Sequence, residues 1–155
     1  RRVASIDTGF TDAKGTFTRV KFPKKWQDKT APIIGQRIAA NNNFMVLRYA
    51  DVLLLLTEAT GDAQYLNQVR KRAGMPEFGT AAYPSKYSTI EAATEHERRV
   101  ELAFEFQRWF DLKRTNRALT VLTAKGKSIS QTKLLIPIPN VVRDQNSKIT
   151  QNAGY

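Results

Sequence analysis

The stretch ERRVELAFEFQRWFDLKR, residues 97–114, sets Glu97, Glu101 and Glu105 four residues apart, and a ladder of carboxylates is the first place to look for chemistry. On a helix such a ladder could belong to a carboxylate metal site, but the di-iron arrangement needs a Glu-x-x-His step and none occurs here. As a row of like charges it costs about a few tenths of a kcal/mol per pair unless cations intervene, and Arg98–Glu101 and Glu105–Arg108 supply partners at i,i+3. A solvated or inter-helix ion-pair face is therefore the stronger reading.

His96 opens HERRV, which begins like a zinc-protease signature, yet Val100 stands where the second histidine must be. GKS at 126–128 resembles the end of a phosphate-binding loop, but the glycine required five residues before Gly126 is Val121. With no cysteine and a single histidine, the chain offers no disulfide, no thiolate metal site and no complete nucleophilic triad of its own. No metal, no cofactor and no catalysis are expected. Three consecutive basic residues, Arg70, Lys71 and Arg72, could touch phosphates, but they also suit the negative end of a helix dipole. Trp26, Tyr83 and Tyr87 lie in segments that read as loops. Flat rings there can stack on sugars or bases as well as pin a loop, and these three are the ligand-binding candidates.

At 155 residues and 41% apolar composition the chain suits one domain with a real core. A formal net charge of +11 raises a polyanion partner, and a basic helical nucleic-acid-binding module is the alternative function. The excess is uneven: KFPKKWQDK, residues 21–29, carries four lysines against one aspartate, whereas 97–114 is close to balanced. No apolar run approaches the roughly 20 residues of a membrane-spanning helix.

The elements that must position these residues follow from the pattern. Residues 1–43, with the alternating GTFTRVKF at 15–22, read as a short strand or hairpin and an extended segment. Residues 44–119 form a helical core. Its first helix, within FMVLRYADVLLLLTEA (44–59), is apolar on nearly every side and is expected to be buried around most of its circumference. Gly61 breaks it, Asp62 caps the next helix, and that helix stops at Gly74. After a loop at 75–88, Thr89 caps a long helix over 90–114. At 100° per residue Leu102, Ala103, Phe106, Trp109 and Phe110 share its inward face, extended by Val100 and Phe104; Glu97, Arg98, Glu101, Glu105 and Arg108 lie opposite. Residues 120–155 form a turn and an extended tail, because Pro137 and Pro139 exclude a helix through KLLIPIPNVV.

RYADVLLLLTEA (48–59), YLNQVRKRAGMP (65–76), ERRVELAFEFQRWFDLKR (97–114) and LLIPIPNVVRDQNSKITQNAGY (134–155) resemble, in this order, the C-terminal part of the SusD/RagB family of outer-membrane nutrient-binding lipoproteins. The resemblance implies a mainly α fold, part of a tetratricopeptide-like α/α assembly, with 1–155 as a single C-terminal fragment. It also implies a lipid-anchored protein of the bacterial cell surface that binds a glycan or other nutrient and delivers it to a TonB-dependent, SusC-like transporter. The missing N-terminal half would carry the anchor, and it is expected to be the more acidic half. Phe106 stands where many members have glycine, which predicts different local packing there. Family ligand residues sit in variable loops, so Trp26, Tyr83 and Tyr87 rest on ring chemistry and loop placement alone.

Overall fold

The computed structural model describes residues 6–26, 28, 30 and 42–155, together with the backbone of two short strands at 33–34 and 37–38. The chain divides into two compact units, Arg1–Phe106 and Gln107–Tyr155. The first opens with short antiparallel strand pairs. β1 (Ile6–Asp7) pairs with β4 (Phe22–Pro23), and β2 (Phe10–Thr11) pairs with β3 (Phe17–Thr18) in the register Phe10↔Thr18 and Thr11↔Phe17. Asp12 closes the second hairpin by accepting from the backbone N–H of Lys14 and Thr16, and Gly15 supplies the left-handed residue at φ 81°. GTFTRVKF thus becomes two strands with different partners. β5 (Ile33–Ile34) pairs with β6 (Arg37–Ile38), and the rest of the expected extended segment between 31 and 41 lies outside the described residues.

Helix α1 (Tyr49–Thr60) ends where Gly61, at φ 71°, donates its N–H to the Thr57 carbonyl. Helix α2 (Ala63–Arg72) begins immediately, because the Asp62 side chain accepts the Gln64 N–H at 2.8 Å. The two pack on each other and on α3 (Ile90–Glu101), whose first turn is capped by Thr89. The apolar core is small: Ala50, Leu53 and Leu54 from α1, Leu66 and Val69 from α2, and Ala93 from α3. The loop at 75–88 is tied to α2 by Asn67, which bonds both backbone groups of Phe78, and by Arg70 Nε, which donates to the Pro76 carbonyl. Burial of α1 is one-sided, contrary to the expectation from its composition. Ala50, Asp51, Leu53, Leu54 and Thr57 are inside, while Tyr49, Val52, Leu55 and Leu56 are exposed.

The long helix expected over 90–114 is two helices. α3 stops at Glu101, the chain makes a turn with Phe104 at φ 67° and Phe106 at φ 61°, and α4 (Arg108–Arg114) begins the second unit. The expected faces hold for Leu102, which is buried, and are otherwise largely reversed. Glu97, Arg98, Glu101 and Glu105 are buried, whereas Phe104, Phe106 and Phe110 are exposed. The reason is the set of counter-ions that converges on the carboxylates. Arg70 Nη1 of α2 reaches Glu97 at 2.7 Å with both side chains almost fully buried, and Arg98 reaches Asp51 of α1 at 2.7 Å as an ion pair without ideal hydrogen-bond angles. An ionised side chain inside a protein survives only with such partners, and here they lie on one side of α3.

In the second unit α5 (Ala118–Thr123) follows α4, with Leu112 and Ala118 buried. Gly126, at φ 72°, then terminates the helical stretch by donating to the Thr123 carbonyl, so GKS is a helix stop. Residues 135–139 are extended as the prolines require, but α6 (Asn140–Gln145) starts directly after Pro139, so the expectation of no helix fails from Asn140 onward. A proline just ahead of a helix costs nothing, since the first amides have no partner to lose. The polar tail serves as a clamp on the extended segment. Gln151 bonds both the N–H and the carbonyl of Ile138, Asn152 donates to Ile136, and the Tyr155 hydroxyl donates to Leu135. Lys133 Nζ reaches the Gly154 carbonyl and sits 3.6 Å from the Tyr155 ring centroid. A side chain at Gly154 would collide with Thr132, and its φ is 96°.

Arg70→Met is expected to destabilise the first unit by about 3–5 kcal/mol, because it strips a counter-ion from a buried carboxylate. Urea denaturation measures the change, and a loss below about 1 kcal/mol contradicts the burial of a charged pair.

Candidate functional site

Arg48 occupies the N-cap position of α1 in extended conformation, φ −144° and ψ 162°, which aims its guanidinium at the end of α3. Its Nε donates to Glu105 Oε2 at 2.6 Å, Nη1 to Glu101 Oε1 at 2.8 Å and Nη2 to the Glu101 carbonyl at 2.7 Å. Lys25 Nζ, from just beyond β4, reaches Glu105 Oε1 at 2.5 Å and the same Glu101 carbonyl at 2.6 Å. Arg72, in the last turn of α2, adds a third cation at Glu101 Oε1. The carbonyl at the end of a helix carries partial negative charge and lacks an intrahelical donor, so two cations on it satisfy that group while they pair the carboxylates.

Burial alone would raise the pKa of Glu101, but the bonds from Arg72 and Arg48 outweigh it and hold the carboxyl below its ordinary value. Burial likewise opposes the Arg48 charge, and Glu105 and Glu101 more than compensate, so its pKa lies above the ordinary value. Both groups are therefore charged across the physiological range.

Next to this cluster stands a shelf of rings. Trp26 stacks on Phe44 with centroids 5.5 Å apart and planes 6° from parallel. Phe106 closes the group at 6.3 Å from Trp26 and 5.8 Å from Phe44, in both cases tilted by about 40°. The indole N–H of Trp26 donates to the Phe104 carbonyl at 2.7 Å, and Asn42 donates to the Trp26 carbonyl, so the ring is fixed in place. Phe44 is 56% exposed and Phe106 is 69% exposed. A cleft of about 210 Å³ between shelf and ion cluster is lined by Lys25, Trp26, Met45, Arg48, Glu101 and Glu105. Apolar faces beside fixed charges suit a ligand that is both flat-sided and rich in hydroxyls.

The other two ring candidates have separate partners. Tyr83 is half-buried against the core, edge-on to Phe78 at 5.2 Å, with the Arg70 guanidinium 4.5 Å from its centroid. Burial pushes its hydroxyl pKa upward, opposed by Arg70 and assisted by Glu97 and Tyr87. Tyr87 stacks on His96 at 3.9 Å, with Lys86 near the ring. The sole histidine is thus a stacking partner. Of the basic run on α2, Arg70 and Arg72 are engaged by Glu97 and Glu101. Among the described residues no group of three or more acidic, histidine or cysteine side chains is placed to hold a metal ion. Sequence reasoning missed Phe44, Phe106, Arg48 and Lys25 as neighbours of Trp26. The one signal for them was the different local packing expected at Phe106, which the structure places in left-handed backbone at φ 61°.

The SusD family model matches residues 7–155. The chain belongs to the SusD family. It is similar to SusD-like protein P2 of Formosa agariphila, at 28% identity over all of this chain and 37% of that protein. It is also similar to SusD-like protein P38 of the same organism, at 31% identity over 74% of this chain and 25% of that protein. Among solved structures it matches B. fragilis NanU with a TM-score of 0.68 and 31% identity, over 99% of this chain and 36% of NanU. The chain therefore spans about a quarter to somewhat over a third of the length of these relatives. The mainly helical architecture, part of a tetratricopeptide-like α/α assembly, is that of the family.

Phe106→Gly relieves a left-handed conformation that costs a side chain about 1–2 kcal/mol and removes a ring that is mostly in solvent. Thermal denaturation is expected to show an unchanged or raised midpoint. A fall equivalent to more than about 1 kcal/mol would mean that the ring is a structural contact.

Proposed function

We propose that the protein is the ligand-binding component of a nutrient-uptake system, a non-enzymatic binder of a glycan at the bacterial cell surface. The observation that carries the reading is the shelf of half-buried Trp26 with exposed Phe44 and Phe106, beside a cleft of charged side chains, in a chain of the SusD family. Sugar rings present flat C–H faces that stack on aromatics, and their hydroxyls bond to fixed polar groups; Lys25, Arg48 and Glu105 supply these at the cleft. Binding without catalysis agrees with the state of Glu101, whose carboxyl the bonds from Arg72 and Arg48 hold below its ordinary pKa, since an acid catalyst needs a proton to give.

The same reading has the protein lipid-anchored in the outer membrane in its intact form and passing its ligand to a TonB-dependent, SusC-like transporter. Family membership supports both points. No helix among the described residues is long and apolar enough to cross a membrane. The net charge favours a polyanion less than its size suggests, because Lys25, Arg48, Arg70, Arg72 and Arg98 are all committed to carboxylates. Tyr87 and Tyr83 remain secondary ring candidates, on a loop with its own contacts.

Isothermal titration against a panel of neutral and acidic oligosaccharides tests the reading. At least one is expected to bind, and Trp26→Ala is expected to weaken it by about tenfold, the worth of a stacking contact of about 1 kcal/mol or slightly more. Absence of heat across the panel, or binding indifferent to Trp26→Ala and Phe106→Gly, overturns the glycan assignment. Affinity for RNA that falls steeply with salt would put the basic-module reading in its place.

A further inference from the structure

The side of α2 that faces away from its buried residues Leu66, Val69 and Arg70 carries Gln64, Asn67, Gln68 and Lys71, the i, i+3, i+4, i+7 positions of one helical stripe. Every member of the stripe is polar, so it needs no further layer of protein to cover it. It is nevertheless not a bare convex surface. After Gly74 the chain comes back beside the helix, and Glu77 joins the four in lining a groove of about 450 Å³. That volume lies within the range of small-molecule sites. The groove shares no residue with the cleft beside the aromatic shelf.

The loop wall of the groove is fixed on both sides of Glu77. Arg70 Nε donates to the Pro76 carbonyl at 2.5 Å, and Asn67 bonds both the N–H and the carbonyl of Phe78. The Glu77 carbonyl itself accepts from the N–H and the hydroxyl of Thr80. A carboxylate held this way is presented to a ligand without a loop to order first. The charges are as telling as the frame. Of the basic residues in the last turn of α2, Arg70 and Arg72 are paired with Glu97 and Glu101. Among the described residues Lys71 and Glu77 have no counter-ion, not even each other, although both line the groove. Opposite charges that share a groove and do not meet suit a ligand that meets both. The side chains that share the groove with them are carboxamides, which both donate and accept and so complement an amide group. Gln64 is engaged by Asp62 and Asn67 by Phe78, which leaves Gln68 with the largest share of bonds to offer.

We propose that the groove between α2 and Glu77 is a second binding site, for a small zwitterion of the dipeptide class. The ligand's ammonium meets the Glu77 carboxylate, its carboxylate meets the Lys71 ammonium, and its amide bonds to Gln68 and the remaining N–H of Asn67. Recognition rests on two charge-assisted contacts at once, so a molecule that carries one of the two charges loses one of them.

Titration of the 155-residue chain, followed by the backbone amide signals in NMR, tests this with glycylglycine and two capped forms. The N-acetyl form lacks the ammonium, and the C-terminal amide lacks the carboxylate. Glycylglycine is expected to shift the signals of Asn67, Gln68, Lys71 and Glu77 saturably, and each capped form is expected to bind about tenfold more weakly. Glu77→Gln is expected to erase the difference between glycylglycine and its N-acetyl form while keeping the difference from the amide, and Lys71→Met to do the reverse. General loss of structure does not give that crossed pattern. No saturable shift with glycylglycine, equal binding of the three probes, or losses in the two variants that ignore which end is capped overturns the proposal. Shifts at these residues with a neutral oligosaccharide and none with glycylglycine overturn it in favour of a second glycan site.

Discussion

Glu97, Glu101 and Glu105 are buried in succession along α3 and its exit, and each is met there by a cation from another part of the chain. Glu97 takes Arg70 from α2; Glu101 takes Arg72 from the end of α2 and Arg48 from the start of α1; Glu105 takes Arg48 again and Lys25 from beyond β4. Arg98 reverses the polarity by reaching Asp51 of α1. Removing each ion from water costs several kcal/mol, so such a ladder holds together only if all the partners arrive at once. An apolar core of Ala50, Leu53, Leu54, Leu66, Val69 and Ala93 is small and tolerant of sliding. The carboxylates are not, because a slip of one turn leaves a buried charge alone. They are what aligns three helices and the strand-bearing N-terminal segment to one another.

The ladder also explains the shape of the candidate site. To place Glu105 against Arg48 and to offer the Glu101 and Phe104 carbonyls to Lys25, Arg48 and Trp26, the chain must leave the helix after Glu101 and pass twice through left-handed backbone. The strain at Phe104 and Phe106 is offset by those bonds. Its consequence is that Phe106 emerges into solvent next to Phe44 and Trp26, on a rigid base. Ion pairing and ring presentation are two results of the same turn, which links the stability of the first unit to the geometry of the candidate site.

Much of the fold could be read from local signals that act within a few residues. Gly61, Asp62 and Thr89 sit where a helix stop and two N-caps are needed and form the expected bonds. Pro137 and Pro139 keep their segment extended, and the family motifs lie at buried pairs and backbone clamps. The face assignment over 97–114 holds for Leu102 but fails for the glutamates and for Phe104, Phe106 and Phe110. A helical wheel assumes one continuous helix and ranks residues by polarity, and it cannot see that guanidinium groups 27 to 57 residues earlier in the chain converge on the glutamates. Trp26 could be singled out as a ring in a loop. Its partners Phe44 and Phe106 are brought to it by long-range contacts that no spacing rule encodes.

The most direct test of the ladder is the titration of Glu101 by carbon-detected NMR of its side-chain carboxyl, followed alongside urea stability as pH falls. The folded-state pKa is held below the unfolded value, so the stabilisation is complete above the ordinary glutamate range near 4.5 and disappears as pH drops through the folded value. The account predicts a Glu101 transition below 4.5, with the accompanying loss of stability reduced in Glu101→Gln. A Glu101 carboxyl that titrates at or above the ordinary value, with the same acid profile in wild type and Glu101→Gln, would contradict it.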